Sequence, residues 1–218
     1  MTNIIPLNVE ELIRSEISPK IMSSMVSVVE QGYILAREAT KHILFLDWDL
    51  GRKHEGYLRP IAIHYLFKRE CEQGRLPFSL SIESNSNKSY KFLLFNKETI
   101  KMTLSQVDSP KVAARPAYFR KKLEESNQVR MNFFDDIATF DTPKEHYLQL
   151  TYSSGGVKPR FVNLGMPNGI GWFDKIDLIK EPRIVISTKD KLEKEEVIVS
   201  ENLIGLRKFA EEVEGFGS

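Results

Sequence analysis

Two aspartates in an apolar stretch are the residues of this sequence best suited to metal chemistry. Asp47 and Asp49 lie at the end of the run HILFLDW, which covers residues 42–48, and just beyond it. Two carboxylates at this spacing can hold Mg²⁺, and one of them can attack a phosphoryl group. Glu83, in a later predicted strand, is the acid that could join them. These three residues would support metal-dependent hydrolysis of a phosphate ester, by a nuclease or a phosphatase.

Residues 44–51 (LFLDWDLG) resemble the first motif of the haloacid-dehalogenase-like phosphatases. The resemblance implies that Asp47 is the nucleophile, that Asp49 is the second acid, and that Asp135 and Asp136 form a distal acidic pair. The residues after the second acid depart from the family's motif, and the antiparallel strands predicted below differ from its repeated βα units. These departures favour a structural interpretation, in which the two acids end a strand before a loop.

Residues 60–126 have the element order of restriction-enzyme-like folds, which is a helix, an antiparallel meander and another helix. That resemblance implies an acid on one strand and a Glu/Asp-x-Lys sequence on the next, where the acids bind metal. Side chains alternate between the faces of a strand, so only a one-residue spacing aims the acid and the lysine at the same site. The nearest match, Glu98 and Lys101, has two intervening residues. The sequence therefore predicts such a core without a complete active site.

Other reactive side chains favour structural roles. The four histidines lack the spacing of metal ligands, and the single cysteine, Cys71, lies on the apolar face of a predicted helix. Residues 165–172 (GMPNGIGW) contain three glycines but match neither a dinucleotide fingerprint nor a P-loop. A Pro-Asn-Gly turn with Trp172 as an aromatic anchor is the better interpretation.

The middle of the chain is strongly basic. Residues 51–131 contain 16 Lys and Arg against 8 Asp and Glu, whereas the rest of the chain contains 15 against 22. Cations neutralise phosphates, and a nearby aromatic ring can stack on an unpaired base. The residues predicted to bind an anionic partner are Arg52, Lys53, Arg59, Lys111, Arg115, Tyr118, Arg120, Lys121, Lys122 and Arg130.

Two alternatives to nucleic-acid binding fit the same charges. One is a solvated helix face on which Glu124 and Glu125 pair with some of the lysines. The other is an acidic protein partner, for which a basic patch raises the association rate and the selectivity.

Hydrophobic periodicity and cap residues predict helices at 8–16 and 19–39, a buried strand at 42–48 and a helix from Pro60 to about Gly74. Gly32 interrupts the second helix and is expected to bend or weaken it. An antiparallel meander at 78–84, 90–95 and 99–105 and a basic helix at 114–126 follow. A hairpin at 147–152 and 159–164, strands at 183–188 and 196–199 and a last helix at 201–213 complete the prediction.

Taken together, the sequence predicts an α+β protein in which N-terminal helices pack on a mainly antiparallel sheet. We expect a single domain over 1–218, with a helical part at about 1–40 and a mixed core at about 41–218. The lone cysteine, the acidic N-terminus and the lack of an apolar stretch near roughly 20 residues indicate a cytoplasmic protein with no membrane contact. The predicted function is non-catalytic binding or regulation, without a cofactor, of nucleic acid or of a protein that handles nucleic acid, through the basic central surface. The alternative is a Mg²⁺-dependent nuclease or phosphatase that uses Asp47, Asp49 and Glu83.

Overall fold

The computed structural model describes residues 8–43, 46–85, 88, 90–127, 130–134, 137–141 and 145–183. Helices α1 (Val9–Glu16) and α2 (Pro19–His42) begin where the sequence predicts. The Asn8 side chain accepts a hydrogen bond from the backbone N–H of Glu11, and Ser18 caps α2 in the same way. Both caps satisfy backbone donors that a helix leaves unpaired in its first turn.

The strand predicted at 42–48 is wrong. Helix α2 continues through His42, and residues 46–50 form turns that lead into a 3₁₀ turn at Gly51–His54. Trp48 and Leu50 are half exposed instead of lining a core. An apolar run this short does not distinguish a strand from a helix end, because its periodicity is too brief to measure.

Helix α3 (Glu55–Glu72) also starts earlier than predicted, with Pro60 inside it, and Gly74 follows its end at φ +70°. Helix α4 (Tyr118–Glu124) starts later than predicted and ends in a 3₁₀ turn at Glu125–Asn127. The preceding loop cannot join α4, because the N–H of Ala113 donates to the carbonyl of Ile170 and that of Ala114 to the side chain of Gln149.

In the part of the chain that the structure describes, the strands form one six-stranded sheet and one separate hairpin. The strands are β1 (Ser79–Ser84), β2 (Lys91–Lys97), β3 (Ile100–Val107), β4 (Arg130–Phe134), β5 (Ile137–Asp141), β6 (His146–Ser153), β7 (Val162–Asn168) and β8 (Gly171–Asp177). The sheet has the order β1-β2-β3-β6-β7-β8, and β4 pairs with β5 alone. All neighbours in the large sheet are antiparallel except β3 and β6, which run parallel. The predicted α+β class and mainly antiparallel sheet are therefore confirmed.

The predicted meander at 78–105 corresponds to β1, β2 and β3, and the predicted Pro-Asn-Gly turn joins β7 to β8, with Gly169 at φ +63°. Strand β8 and the hairpin of β4 and β5 were not predicted. The elements predicted at 183–188, 196–199 and 201–213 fall beyond the described residues, which end at Arg183.

One face of the sheet packs on α2 and α3. Inward residues of β3 and β6, such as Met102, Leu104, Leu148 and Leu150, join the buried residues of the two helices in one apolar cluster. Gly32 lies where α2 meets α3, and a Cβ built there would be 2.2 Å from Cγ1 of Ile63. The glycine therefore permits close packing of the two helices, and α2 continues through it without a break.

The opposite face of the sheet is polar and is covered by residues 108–127. Its buried side chains include Thr103, Tyr147, Gln149, Thr151 and Asn163. The Asn163 amide donates to the carbonyl of Pro110, and the Asn127 side chain bonds both backbone groups of Tyr147. These contacts fix the loop and α4 against the sheet, because buried polar groups require partners.

Candidate functional site

A cleft opens where β2 and β3 separate. The ladder between them is short: it begins with Lys97 opposite Ile100 and ends with Phe95 opposite Met102. Strand β3, in contrast, stays paired with β6 as far as Val107. The first half of β2 follows β1 instead, with Lys91 opposite Ser84. The second half of β3 therefore borders a space between the strands, which we call the β2–β3 cleft.

The β2–β3 cleft has a volume of about 430 Å³, within the range of roughly 300–1,000 Å³ that is usual for small-molecule sites. Helix α3, the start of β2, the ends of β3 and β6, the loop after β3 and helix α4 all contribute to its walls. The polar and aromatic residues that line it are His64, Tyr90, Ser105, Gln106, Asp108, Arg115, Arg120 and Tyr152.

Three buried polar atoms of the residues that line the cleft have no hydrogen-bond partner among the described residues, and one of them is Nε of Arg120. The other two are the side-chain oxygen of Gln106 and the hydroxyl of Tyr152. These residues are direct neighbours across β3 and β6 and so lie on the same face of the sheet. Tyr152 is fully buried, and burial raises the pKa of its phenol, so the hydroxyl stays protonated and can donate.

An aromatic cluster contributes Tyr90 to the wall of the cleft. The Phe119 ring of α4 stacks on Phe92 with centroids 4.0 Å apart and lies 6.1 Å from the centroid of Tyr90, at an angle of 27°. Tyr90 remains 54% exposed. Packing on Phe119 holds its ring at the mouth of the cleft, where a planar ligand can stack on it.

Arg120 is fixed beside the same aromatic cluster. Its guanidinium lies 4.7 Å from the centroid of Phe119 and donates to the carbonyl of Arg115 and to Oγ of Ser105. These contacts hold a positive charge at the wall of the cleft. Asp108 supplies one nearby negative charge and accepts a hydrogen bond of 2.5 Å from Ser154.

His64 faces the cleft from α3 as a neutral group. Its Nδ1 lies 2.6 Å from the carbonyl oxygen of Pro60, to which it donates, and burial lowers the pKa of the imidazole. Because Nδ1 carries the hydrogen, Nε2 is left as an acceptor.

The six predicted binding residues between 111 and 122 form a continuous segment next to the cleft. We call them the α4 surface: Lys111, Arg115, Tyr118, Arg120, Lys121 and Lys122. Among the described residues, none of its five cations forms an ion pair with a carboxylate. Tyr118 is 71% exposed, and Lys111, Arg115, Lys121 and Lys122 are exposed. The carboxylate of Glu124 accepts a hydrogen bond from the backbone of Gly169, so it is directed toward the turn between β7 and β8.

The other predicted cations do not join the α4 surface. Arg52 and Lys53 lie in the 3₁₀ turn between α2 and α3, where Arg52 pairs with Asp47 at 2.8 Å. Arg59 is only 3% exposed and pairs with Glu55 at 2.8 Å, so it does not lie on a surface. Arg130 lies at the start of β4, next to Asp141 in the backbone register.

The three acids predicted for metal chemistry lie on two separate elements. Asp47 and Asp49 are exposed in the turn after α2, and Glu83 is exposed on the edge strand β1, opposite Phe92 of β2. In the part of the chain that the structure describes, no group of three His, Cys, Asp or Glu side chains could hold a metal ion.

Six of the polar and aromatic residues that line the cleft were not predicted from the sequence: His64, Tyr90, Ser105, Gln106, Asp108 and Tyr152. A signal for Gln106 exists, because Ile100, Met102 and Leu104 alternate on the inward face and position 106 continues that series. The alternation predicts an apolar residue at this position, and a glutamine there requires a hydrogen-bond partner. No comparable signal exists for Tyr90, since its place depends on the separation of two strands.

The fold and the cleft define an α+β protein with a polar cleft beside an exposed basic segment. Comparisons of the chain with models of protein families, with curated proteins and with solved structures found no match. Within the described ranges, none of the helices has the length and apolar character needed to cross a bilayer.

Proposed function

We propose that this protein binds nucleic acid, without catalysis, through the α4 surface. The observation that carries the proposal is the contrast between two groups of cations. Arg52, Arg59 and Lys101 are paired with carboxylates, whereas the five cations of the α4 surface have no such pair among the described residues. Unpaired, exposed cations are available to phosphates, and each contact releases counterions.

The arrangement favours nucleic acid over a simple anion site. Five cations lie along one short segment, which suits a ligand with repeated phosphates. The exposed ring of Tyr118 lies among them and can stack on a base. Regulation of a nucleic-acid-handling process follows as the role, because the acids expected for catalysis are dispersed over separate elements.

The finer fold assignment, a restriction-endonuclease-like core without a complete active site, is also a proposal. Its support is the element order α3, then β1 to β3, then α4, then β6 parallel to β3. Strands β2 and β3 carry Lys91, Lys97 and Lys101 but no acidic residue, so the Glu/Asp-x-Lys sequence has no counterpart there.

A salt titration tests the binding proposal. Binding of labelled DNA and RNA oligonucleotides is measured by fluorescence anisotropy between roughly 50 and 200 mM salt. Replacing Lys121 and Lys122 with alanine removes two exposed cations without touching the packed Arg120. If each contacts one phosphate, the slope of log K against log salt becomes shallower by roughly 1.8 for duplex DNA and 1.4 for a single strand.

The matched control replaces two exposed lysines elsewhere, Lys20 and Lys180, which changes the net charge equally. It is expected to leave the slope close to that of the wild type. Equal slopes for all three proteins, or no binding to either nucleic acid, would contradict the proposal. Mg²⁺ or Mn²⁺ is expected to leave the melting temperature unchanged, and a metal-dependent rise that Asp47→Asn abolishes would favour the phosphoesterase instead.

A further inference from the structure

We propose that the β2–β3 cleft receives one unpaired nucleotide of the bound strand, so that the protein selects single-stranded over duplex nucleic acid. The inference rests on the proposed function and adds the form of nucleic acid that is recognised. The α4 surface supplies affinity through phosphates, and the β2–β3 cleft supplies selectivity through the base, as is general for proteins that bind nucleic acid.

Two neighbouring polar groups at the wall of the cleft are unsatisfied in the part of the chain that the structure describes. The hydroxyl of Tyr152 and the side-chain oxygen of Gln106 face the same cleft from adjacent strands and lack partners among the described residues. Buried polar groups in folded proteins are usually hydrogen-bonded, so a neighbouring donor and acceptor without partners at the wall of a cleft offer a ligand two hydrogen bonds. One group donates and the other accepts, which matches the edge of a nucleobase, where donors and acceptors alternate.

A phosphate group alone would fit these groups poorly. A phosphate dianion offers acceptors only, so it could accept from Tyr152 but could not donate to the oxygen of Gln106. Any nucleobase offers at least one N–H donor beside an acceptor on its Watson–Crick edge. The chemistry of the cleft therefore favours a base over an inorganic anion.

The ring of Tyr90 forms a stacking surface at the mouth of the cleft. Tyr90 is half exposed, and its orientation is fixed by Phe119, which itself stacks on Phe92. A preformed aromatic surface can bind any base through its π face, because stacking needs no particular hydrogen-bond pattern. The ring stands on the same cleft as Gln106 and Tyr152, so stacking and edge recognition can act on one base.

Two arginines place positive charge beside the cleft. Arg115 and Arg120 belong both to the α4 surface and to the lining of the cleft. A nucleotide whose base lies in the cleft would therefore keep its phosphate beside these arginines. A space of about 430 Å³ accommodates a nucleotide but not a duplex, so the base has to leave its stack or come from a single strand.

The test measures the affinity of the full-length chain for three labelled oligonucleotides of equal length: a DNA single strand, an RNA single strand and a blunt DNA duplex. We expect the single strands to bind at least roughly tenfold tighter than the duplex, since stacking on one aromatic residue alone contributes about that factor. Tyr152→Phe is expected to weaken single-strand binding roughly three- to tenfold, the effect of one hydrogen bond, and to leave duplex binding unchanged. Tyr90→Ala is expected to remove most of the single-strand preference.

Two controls match these variants. Tyr147→Phe removes a buried hydroxyl that already bonds Thr103 and Gln149 on the opposite face of the sheet. Tyr57→Ala removes an exposed ring that lies beside His54 and does not line the cleft. Both are expected to keep the wild-type preference for single strands. Tyr152→Phe breaks no hydrogen bond among the described residues, so loss of folding does not obscure its result.

The outcomes separate the two proposals. A single-strand preference that Tyr152→Phe and Tyr90→Ala reduce, and that the controls keep, supports the inference. Equal affinity for strand and duplex, or wild-type affinity in both cleft variants, overturns the inference while nucleic-acid binding stands. No binding to any of the three oligonucleotides overturns both.

Discussion

The guanidinium of Arg59 lies 4.2 Å from the centroid of the Tyr33 ring, inside the protein. The Tyr33 hydroxyl donates to the carbonyl of Ser153, and Arg59 donates to the carbonyl of Gly156 at 3.2 Å. Helices α2 and α3 are thereby tied to the end of β6 and to the turn that follows it. Since Tyr152 is the neighbour of Ser153, this contact also positions the inner end of the β2–β3 cleft.

Arg59→Ala is expected to lower the free energy of unfolding by roughly 2 to 4 kcal/mol, because it removes a buried cation–π contact and leaves Glu55 without its closest partner. Urea unfolding followed by circular dichroism measures the change. The control is Arg52→Ala, which removes the exposed pair with Asp47 and is expected to leave stability nearly unchanged. Equal effects of the two substitutions would show that the buried contact adds no stability.

Gly32→Ala is expected to destabilise the protein by about 1 to 3 kcal/mol, because the added methyl group would lie 2.2 Å from Cγ1 of the buried Ile63. Gly56 is the matched control, since it lies in α3 with no atom within 4 Å of an added Cβ. Gly56→Ala is expected to raise stability by about 0.5 to 1 kcal/mol through helix propensity. Thermal unfolding of the two variants gives opposite shifts of the melting temperature if Gly32 serves close packing. A stabilising Gly32→Ala would contradict that role.

Local patterns in the sequence were sufficient for much of the fold. The capping residues Asn8 and Ser18 located the first two helices, and the alternation of β3 located a strand, although its polar face is buried as well. Such features depend on residues close in sequence, which a single chain displays directly. The parallel pairing of β3 with β6 was not predicted, because it joins residues far apart along the chain and leaves no local periodic signature.

The candidate site was only partly predictable for the same reason. The cations of the α4 surface are adjacent in sequence, so their clustering was visible as charge. Arg59 is a cation like those of the α4 surface, but it is buried, because it packs on Tyr33 and pairs with Glu55. The β2–β3 cleft depends on where two strands part and on α4 packing beside them, and Tyr90 and Tyr152 meet only in the folded chain.

Cys71 is expected to react slowly with thiol reagents in the folded protein. Burial raises the pKa of its thiol to about 12, so little thiolate is present near neutral pH. Labelling with a disulfide reagent at about pH 8 should be at least about tenfold slower than in the same protein unfolded by guanidinium chloride, even allowing for the greater nucleophilicity of a high-pKa thiolate. Equal rates in the folded and unfolded protein would show that the thiol is accessible and ordinary.

Stability is expected to fall as the pH drops below 6.5, the ordinary pKa of histidine. Burial lowers the pKa of His64 and of His146 in the folded state, where Nδ1 of His146 also lacks a partner among the described residues and Glu16 only partly offsets the effect. The unfolded chain therefore binds protons that the folded chain does not, and each histidine can remove up to about 1.4 kcal/mol per pH unit. Above about pH 7.5 both imidazoles are almost entirely neutral in either state, so this contribution is constant there.

Urea unfolding between about pH 8 and pH 5 measures this dependence. His64→Gln and His146→Gln should each reduce the number of protons taken up on unfolding by one, and the double variant should reduce it by two. The free energy of unfolding then depends less steeply on pH. Carboxylates such as Glu70 and Glu181, whose pKa values are lowered by arginine partners, contribute equally to every variant and cancel in the difference. If the double variant loses as much stability as the wild type between pH 7 and pH 5, the buried histidines do not set the acid limit of this fold, and the carboxylate pairs do.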